Sequence, residues 1–113
     1  MTECWDGAHA VISVISRKWV LDVLRVLTVG PHRHNELQRA IGKGVHANTF
    51  DHTLRRMEGV GFIARRVVPG VPPGTAYELT ALGRSLLEPI AEFGRWVADH
   101  RDELESQRGW PER

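Results

Sequence analysis

Cysteine occurs once in the 113 residues, as Cys4, so no disulfide can close within one chain and no cysteine-based zinc cage can form from one copy. No apolar run approaches the ~20 residues that a membrane-spanning helix needs. The N-terminus lacks a basic start followed by an apolar run, so no secretory signal is expected. A soluble cytoplasmic protein without membrane contact is the resulting expectation. No internal repeat and no low-complexity segment are present, and the length suits one domain spanning residues 1–113. Signs of catalysis are missing as well: there is no phosphate-cradling glycine loop, no nucleophile elbow and no carboxylate pair. Glu88 and Glu92, four apart, read as a solvated helix face. The six histidines show no pair spaced as ligands on one helix face, and His32 and His34, flanking Arg33, make only a weak metal candidate. No enzyme activity, no cofactor and no metal are expected.

What the chain does contain is an uneven distribution of charge under a formal net charge of +1. Residues 33–66 hold seven basic side chains against three acidic ones, whereas residues 78–113 hold five against eight. The middle of the chain is therefore the candidate anion-facing surface.

Apolar spacing places the helices. Gly7–Ser16 carries Ala8, Val11, Ile12 and Ile15 at helical spacing, with Ala10 and Val14 making the other side apolar too. A helix apolar all round is normally buried, which in so small a domain points to a partner chain; the abundance of Val and Ile leaves a strand as the competing reading. Residues 1–6 read as a short arm. Lys18–Val29 is a second helix, ended by Gly30-Pro31, with Val20, Val23, Leu24 and Leu27 inward and Trp19 in the core. Asn35–Ile41 is a third, with Asn35 as N-cap and Leu37, Ala40 and Ile41 buried. After the turn Gly42-Lys43-Gly44, His46–Glu58 is a fourth, with Phe50, Leu54 and Met57 inward. Short helix, glycine-containing turn and second helix form the helix-turn-helix order over residues 35–60.

Two short strands follow, Phe62–Val68 and Thr75–Leu79, joined by a tip rich in proline and glycine that cannot continue a ladder. A basic hairpin directly after a helix-turn-helix is a wing, here residues 62–79. Thr80 stands where an N-cap would, ahead of a long helix over residues 80–105. Its stripe of Leu82, Leu86, Ile90, Phe93 and Val97 is narrow and suits another helix, and Pro89 inside it predicts a kink or a break. The fold class is mainly α with a small β-hairpin.

With Phe50, Leu54 and Met57 inside, the fourth helix presents Asn48, Asp51, His52 and Arg55 outward, with Ala47 in its first turn. In a major groove, Asn48 pairs with adenine, Arg55 with guanine or phosphate, and Asp51 accepts from cytosine or orients a neighbouring arginine. Arg56 on the flank, Lys43 in the turn, and Arg65 and Arg66 in the wing are further DNA candidates. Arg65 and Arg66 point to opposite faces of one strand, so one of them is expected to reach phosphate. The plain alternative is a solvated face of mixed polar residues.

At this point the chain resembles the HxlR-type branch of the winged helix-turn-helix regulators, relatives of the MarR type. The resemblance runs from about Cys4 to about His100 and rests on Lys18-Trp19, Gly30-Pro31, Asn35-Glu36-Leu37, Leu54-Arg55-Arg56-Met57-Glu58, Val71-Pro72-Pro73, Tyr77-Glu78-Leu79-Thr80, Leu82-Gly83-Arg84 and Trp96. It implies a homodimeric transcription factor, dimerising through its first and last helices, that binds double-stranded DNA and more often represses than activates. Some relatives sense oxidants or electrophiles through a cysteine just before the first helix, and Cys4 stands near that place. The chain departs from the family pattern at His34, where phenylalanine is usual, at His46, where serine is common, and at Asp51, which replaces a small polar residue. The expected function is sequence-specific transcriptional regulation by a homodimer answering a small molecule or, through Cys4, an oxidant. The alternatives are a dimeric winged-helix interaction module with weak or lost DNA binding, and a regulator that binds an apolar effector between its first and last helices.

Overall fold

The computed structural model of the chain describes residues 2–42 and 44–111. It begins with α1 (Thr2–Ile15), α2 (Val20–Leu27), β1 (His32–Arg33), α3 (His34–Ile41) and α4 (Ala47–Gly59). β2 (Ile63–Val68) and β3 (Gly74–Leu79) form the wing, and α5 (Ala81–Ser85), α6 (Leu87–Asp99) and α7 (Arg101–Glu105) complete the chain.

The core is built where the amphipathic spacing put it. Val20, Val23, Leu24 and Leu27 of α2 pack with Leu37 of α3, Phe50, Leu54 and Met57 of α4, and Ile63, Tyr77 and Leu79 of the sheet. Apolar residues at i, i+3, i+4 and i+7 give each helix one continuous face to bury, and three such faces close against the inner face of the wing. Ala40 is exposed rather than buried, so α3 is anchored by Leu37 and by the half-buried Ile41. The N-cap of α3 is Arg33, not Asn35: its backbone N–H donates to Glu36 Oε1 at 2.8 Å. Trp19 is half-buried rather than core, and it adopts a left-handed backbone with φ 76° ahead of α2. Such a conformation is unfavourable for a bulky residue. The Thr53 hydroxyl, donating to the Lys18 carbonyl at 3.3 Å, ties the adjoining residue to α4.

The sheet has three antiparallel strands in the order β1-β3-β2. Its third strand is an addition to the expected hairpin: His32 pairs with Tyr77, and Arg33 with Ala76. Two residues are too few for an alternating pattern to register in sequence. β2 and β3 pair from Ile63↔Leu79 to Val68↔Gly74, which sets Arg65 opposite Tyr77 and Arg66 opposite Ala76.

The ends of the chain depart most from expectation. α1 starts at Thr2, so the expected N-terminal arm is helical and Cys4 lies within α1 rather than before it. Residues 2–6 contain no proline, and Gly7 inside a helix costs only about 1 kcal/mol. The long final helix is broken at Leu86, three residues before Pro89. Proline has no N–H for the carbonyl four residues back, that of Ser85, and its ring crowds that position; α5 therefore stops there and α6 restarts with Pro89 in its first turn, where the missing donor costs nothing. Most of α1 is exposed, and Phe93 of α6 is 68% exposed. The radius of gyration is 16.1 Å, against about 13 Å for a compact chain of this length. The terminal helices touch the core through Ile15, Leu87 and Ile90 and leave Val11, Ile12, Phe93 and Trp96 uncovered.

Candidate nucleic-acid interface

α4 is amphipathic, and its inward residues Phe50, Thr53, Leu54 and Met57 lock its orientation. Ala47, Asn48, Asp51, His52 and Arg55 are consequently exposed, as the spacing predicted, while Arg56 is half-buried on the flank. β2 and β3 then stand beside the outer face of α4. Between them lies an open groove of about 430 Å³ lined by Asn48, Asp51, Arg55, Arg65 and Tyr77, with His34 and Thr75 at its edge. Helix and wing thus bring four of the sequence-derived candidates together.

The remaining candidates lie elsewhere. Arg66 is on the opposite face of the wing, where its Nε is 3.1 Å from Glu78 Oε1. Ala47, His52 and Arg56 are on α4 but do not line the groove. Lys43 is outside the described residues. Cys4 is exposed on α1, next to Trp5 at 69% exposure, and does not line the groove.

The groove also contains residues that pattern reading passed over. His34 Nε2 lies 2.8 Å from Asp51 Oδ1, so the partner of Asp51 is a histidine seventeen positions upstream rather than an arginine. The His34 ring meets Phe50 edge-on at 5.1 Å between centroids and lies 6.2 Å from Tyr77. The only signal for His34 was its place where a phenylalanine is usual. Burial pushes the Tyr77 phenol above its ordinary pKa; Arg65 opposes this, and the carboxylates of Glu58 and Asp51 add to it. Arg65 is 4.0 Å from Glu58 Oε2, a loose and exposed pair that leaves the guanidinium available to another anion. A second hollow, of about 310 Å³, opens beside Arg33, Arg39 and Thr75 at the other side of His34. Arg33 and Arg39 belonged to the basic excess of residues 33–66, and that excess was the signal that could have singled them out. Among the described residues, no group of three or more His, Cys, Asp or Glu is placed to hold a metal ion, and no helix is long and apolar enough to cross a membrane.

An exposed helix face with Asn and Arg, flanked by a wing arginine, has the geometry of major-groove recognition with phosphate contacts alongside. The profile of the HxlR-like helix-turn-helix family matches residues 14–105. The chain belongs to the HxlR-like helix-turn-helix family. The HTH-type transcriptional regulator YtfH of Escherichia coli (strain K12) is 34% identical over 90 residues, covering 80% of this HxlR-like chain and 71% of YtfH. A MarR-family regulator from Enterococcus faecalis V583 superposes with a TM-score of 0.81 at 26% identity, covering 91% of this chain and 93% of that one. The redox regulator HypR in its reduced form superposes at 0.79 with 31% identity, covering 89% and 99%. This HxlR-like protein is thus a winged helix-turn-helix transcriptional regulator with a DNA-binding fold.

Proposed function

We propose that this regulator acts as a homodimer that occupies promoter DNA in a sequence-specific way and represses by that occupancy. The carrying observation is the groove in which the outer face of α4 and the wing meet, with Asn48, Asp51, Arg55 and Arg65 around one space. α4 enters the major groove, Asn48 and Arg55 read base edges, and Arg65 meets phosphate beside it. Ala47 packs close to the duplex in the first turn of α4; His52, Arg56 and Lys43 flank it, and Arg66 contributes long-range attraction only. Dimerisation uses α1 and α6. An apolar cleft of about 450 Å³ between them, lined by Val11, Ile12, Ile15, Leu86, Ile90 and Phe93, supports this reading, because uncovered apolar surface of that kind marks an interface. A symmetric dimer then sets two α4 helices about 34 Å apart, one turn of duplex. Cys4, exposed on α1, is the candidate through which an oxidant or electrophile alters DNA binding.

Fluorescence anisotropy tests this reading, with duplexes from upstream of the protein's own gene and from genomic fragments set against scrambled DNA over a salt series. Selective binding with a steep salt slope is expected, together with twice the chain mass by light scattering and a loss of affinity on oxidation that Cys4→Ser abolishes. Weak binding, equal for every duplex, sinks the proposal and favours a winged-helix module that docks on protein. Release by oxidant that persists in Cys4→Ser moves sensing away from the cysteine. Indifference of the wild type to oxidants favours an apolar effector in the cleft between α1 and α6.

A further inference from the structure

His34 is held at the junction of three elements. Its Nε2 is 2.8 Å from Asp51 Oδ1 on α4, and its Nδ1 is 3.4 Å from Asn35 Oδ1. Both ring nitrogens therefore face oxygens. A neutral imidazole has one N–H, whereas the imidazolium has two; with Asn35 in this orientation only the protonated ring donates on both sides. Phe50 and Tyr77 wall the ring. The pair is nonetheless within reach of a ligand, since the side chains of His34 and Asp51 are 31% and 51% exposed.

The charges around the ring oppose one another. α4 presents Asp51 and Arg55, β2 presents Arg65, and β3 presents the neutral Tyr77, with Thr75 beside it. The ring's own segment adds Arg33, Glu36 and Arg39. The carboxylates of Asp51 and Glu36 and the guanidiniums of Arg33, Arg39, Arg55 and Arg65 thus surround one ring. Phosphates lying along α4 and the wing would offset those four arginines and leave the carboxylates of Asp51 and Glu36 uncompensated. An unneutralised Asp51 carboxylate would in turn repel the same phosphates.

We propose that His34 is a positioning residue of the DNA-reading surface: it holds and neutralises Asp51, and DNA binding takes up a proton at this pair. The inference rests on the proposed docking of α4 against DNA. The proton comes from solvent, goes onto the ring nitrogen left bare in the neutral form and is returned when DNA leaves; no covalent bond other than N–H changes. With Oδ1 held by His34, Asp51 offers Oδ2 to a base amino group, cytosine N4 being the matching donor. Because histidine changes charge between about pH 5 and 8, affinity falls as pH rises through that window.

The test is anisotropy at fixed salt from pH 6 to 8, with a duplex selected from genomic fragments, for wild type, His34→Gln and Asp51→Asn. Gln keeps a neutral donor for Asp51 but cannot titrate. The wild type is expected to bind about tenfold more tightly at pH 6 than at pH 8. His34→Gln and Asp51→Asn should lose most of that difference, and whatever the other histidines contribute persists in all three proteins. The salt slope of the wild type should be steeper at pH 6 by up to about 0.9, one extra neutralised charge. Calorimetry of wild type and His34→Gln in two buffers of different ionisation heat reads the same proton as the difference between the two proteins. A wild type whose affinity ignores pH, a His34→Gln that keeps the full pH dependence, or binding without proton uptake each overturns the inference while leaving the regulator reading intact. No binding by the wild type at any pH overturns that reading, and this inference with it.

Discussion

Gly83→Ala should unfold this protein more easily, although Gly83 lies in a helix, where alanine is ordinarily the better residue by about 1 kcal/mol. The glycine packs against the end of α4's exit turn. A methyl group at this position would sit 2.0 Å from the Phe62 carbonyl oxygen and 2.9 Å from its carbon. A carbon and a carbonyl oxygen approach to about 3.3 Å at closest, so α5 would have to withdraw by about 1.3 Å. The obstacle is backbone, and it is held: Phe62 O accepts the Thr80 N–H at 3.1 Å, and Thr80 Oγ1, which donates to the Gly61 carbonyl, accepts the Gly83 N–H at 3.0 Å. Overpacking of a well-packed site costs about 1–3 kcal/mol, and a rigid obstacle belongs at the upper end. Weakening two hydrogen bonds adds about 1 kcal/mol each. After the helix-propensity gain the net loss is about 3–4 kcal/mol. At about 4 °C per kcal/mol for a chain of this size, Tm should fall by about 12 °C or more. The assay is thermal and urea unfolding followed by circular dichroism, at one protomer concentration for both proteins. A Gly83→Ala protein that melts within about 2 °C of wild type, or above it, would refute the reasoning, because propensity alone would then have decided the sign.

Two further outcomes follow from the groove. Arg65→Ala should weaken binding to every duplex alike and flatten the salt slope by about 0.9, as the loss of one phosphate contact does. Arg66→Ala, whose guanidinium is engaged with Glu78 on the far face, should do less; the reverse order would mean that the wing presents its other face to DNA. Tyr77, the only tyrosine in the chain, should titrate above the usual phenol range in the folded protein, read by ultraviolet absorbance. Since its folded pKa lies above the unfolded value of about 10, its contribution to stability is complete below pH 10 and is lost as pH rises through the folded value. An unshifted titration would mean that Arg65 offsets the burial of the phenol in full, against this account.

Much of the architecture was legible because it is written within a few residues. The inward faces of α2 and α4 follow from spacing alone, and the N-cap at Thr80 and the turn at Gly30-Pro31 follow from residue chemistry. The outward set on α4 was legible as the complement of its apolar face. What escaped notice had no local pattern. β1 is two residues long; the capping role of Arg33 uses its backbone rather than its side chain; and the helix at residues 2–6 follows a sequence without strong periodicity. The helix breaks at Leu86, three residues before Pro89, because a proline disrupts the turn that precedes it.

The amino-acid sequence determined the order of the elements, the side of each helix that is buried, the basic middle of the chain and the residues through which it resembles HxlR-type regulators. These depend on periodicity and side-chain chemistry, which act over one or two helical turns. Tertiary structure alone decided that Arg65 rather than Arg66 joins Asn48, Asp51 and Arg55, that His34 reaches Asp51 from seventeen residues away, and that Gly83 lies against the Phe62 carbonyl. Each of these is a contact between elements, set by strand register and by the distance at which α4, the wing and α5 pack, and such distances come from the closing of the whole core.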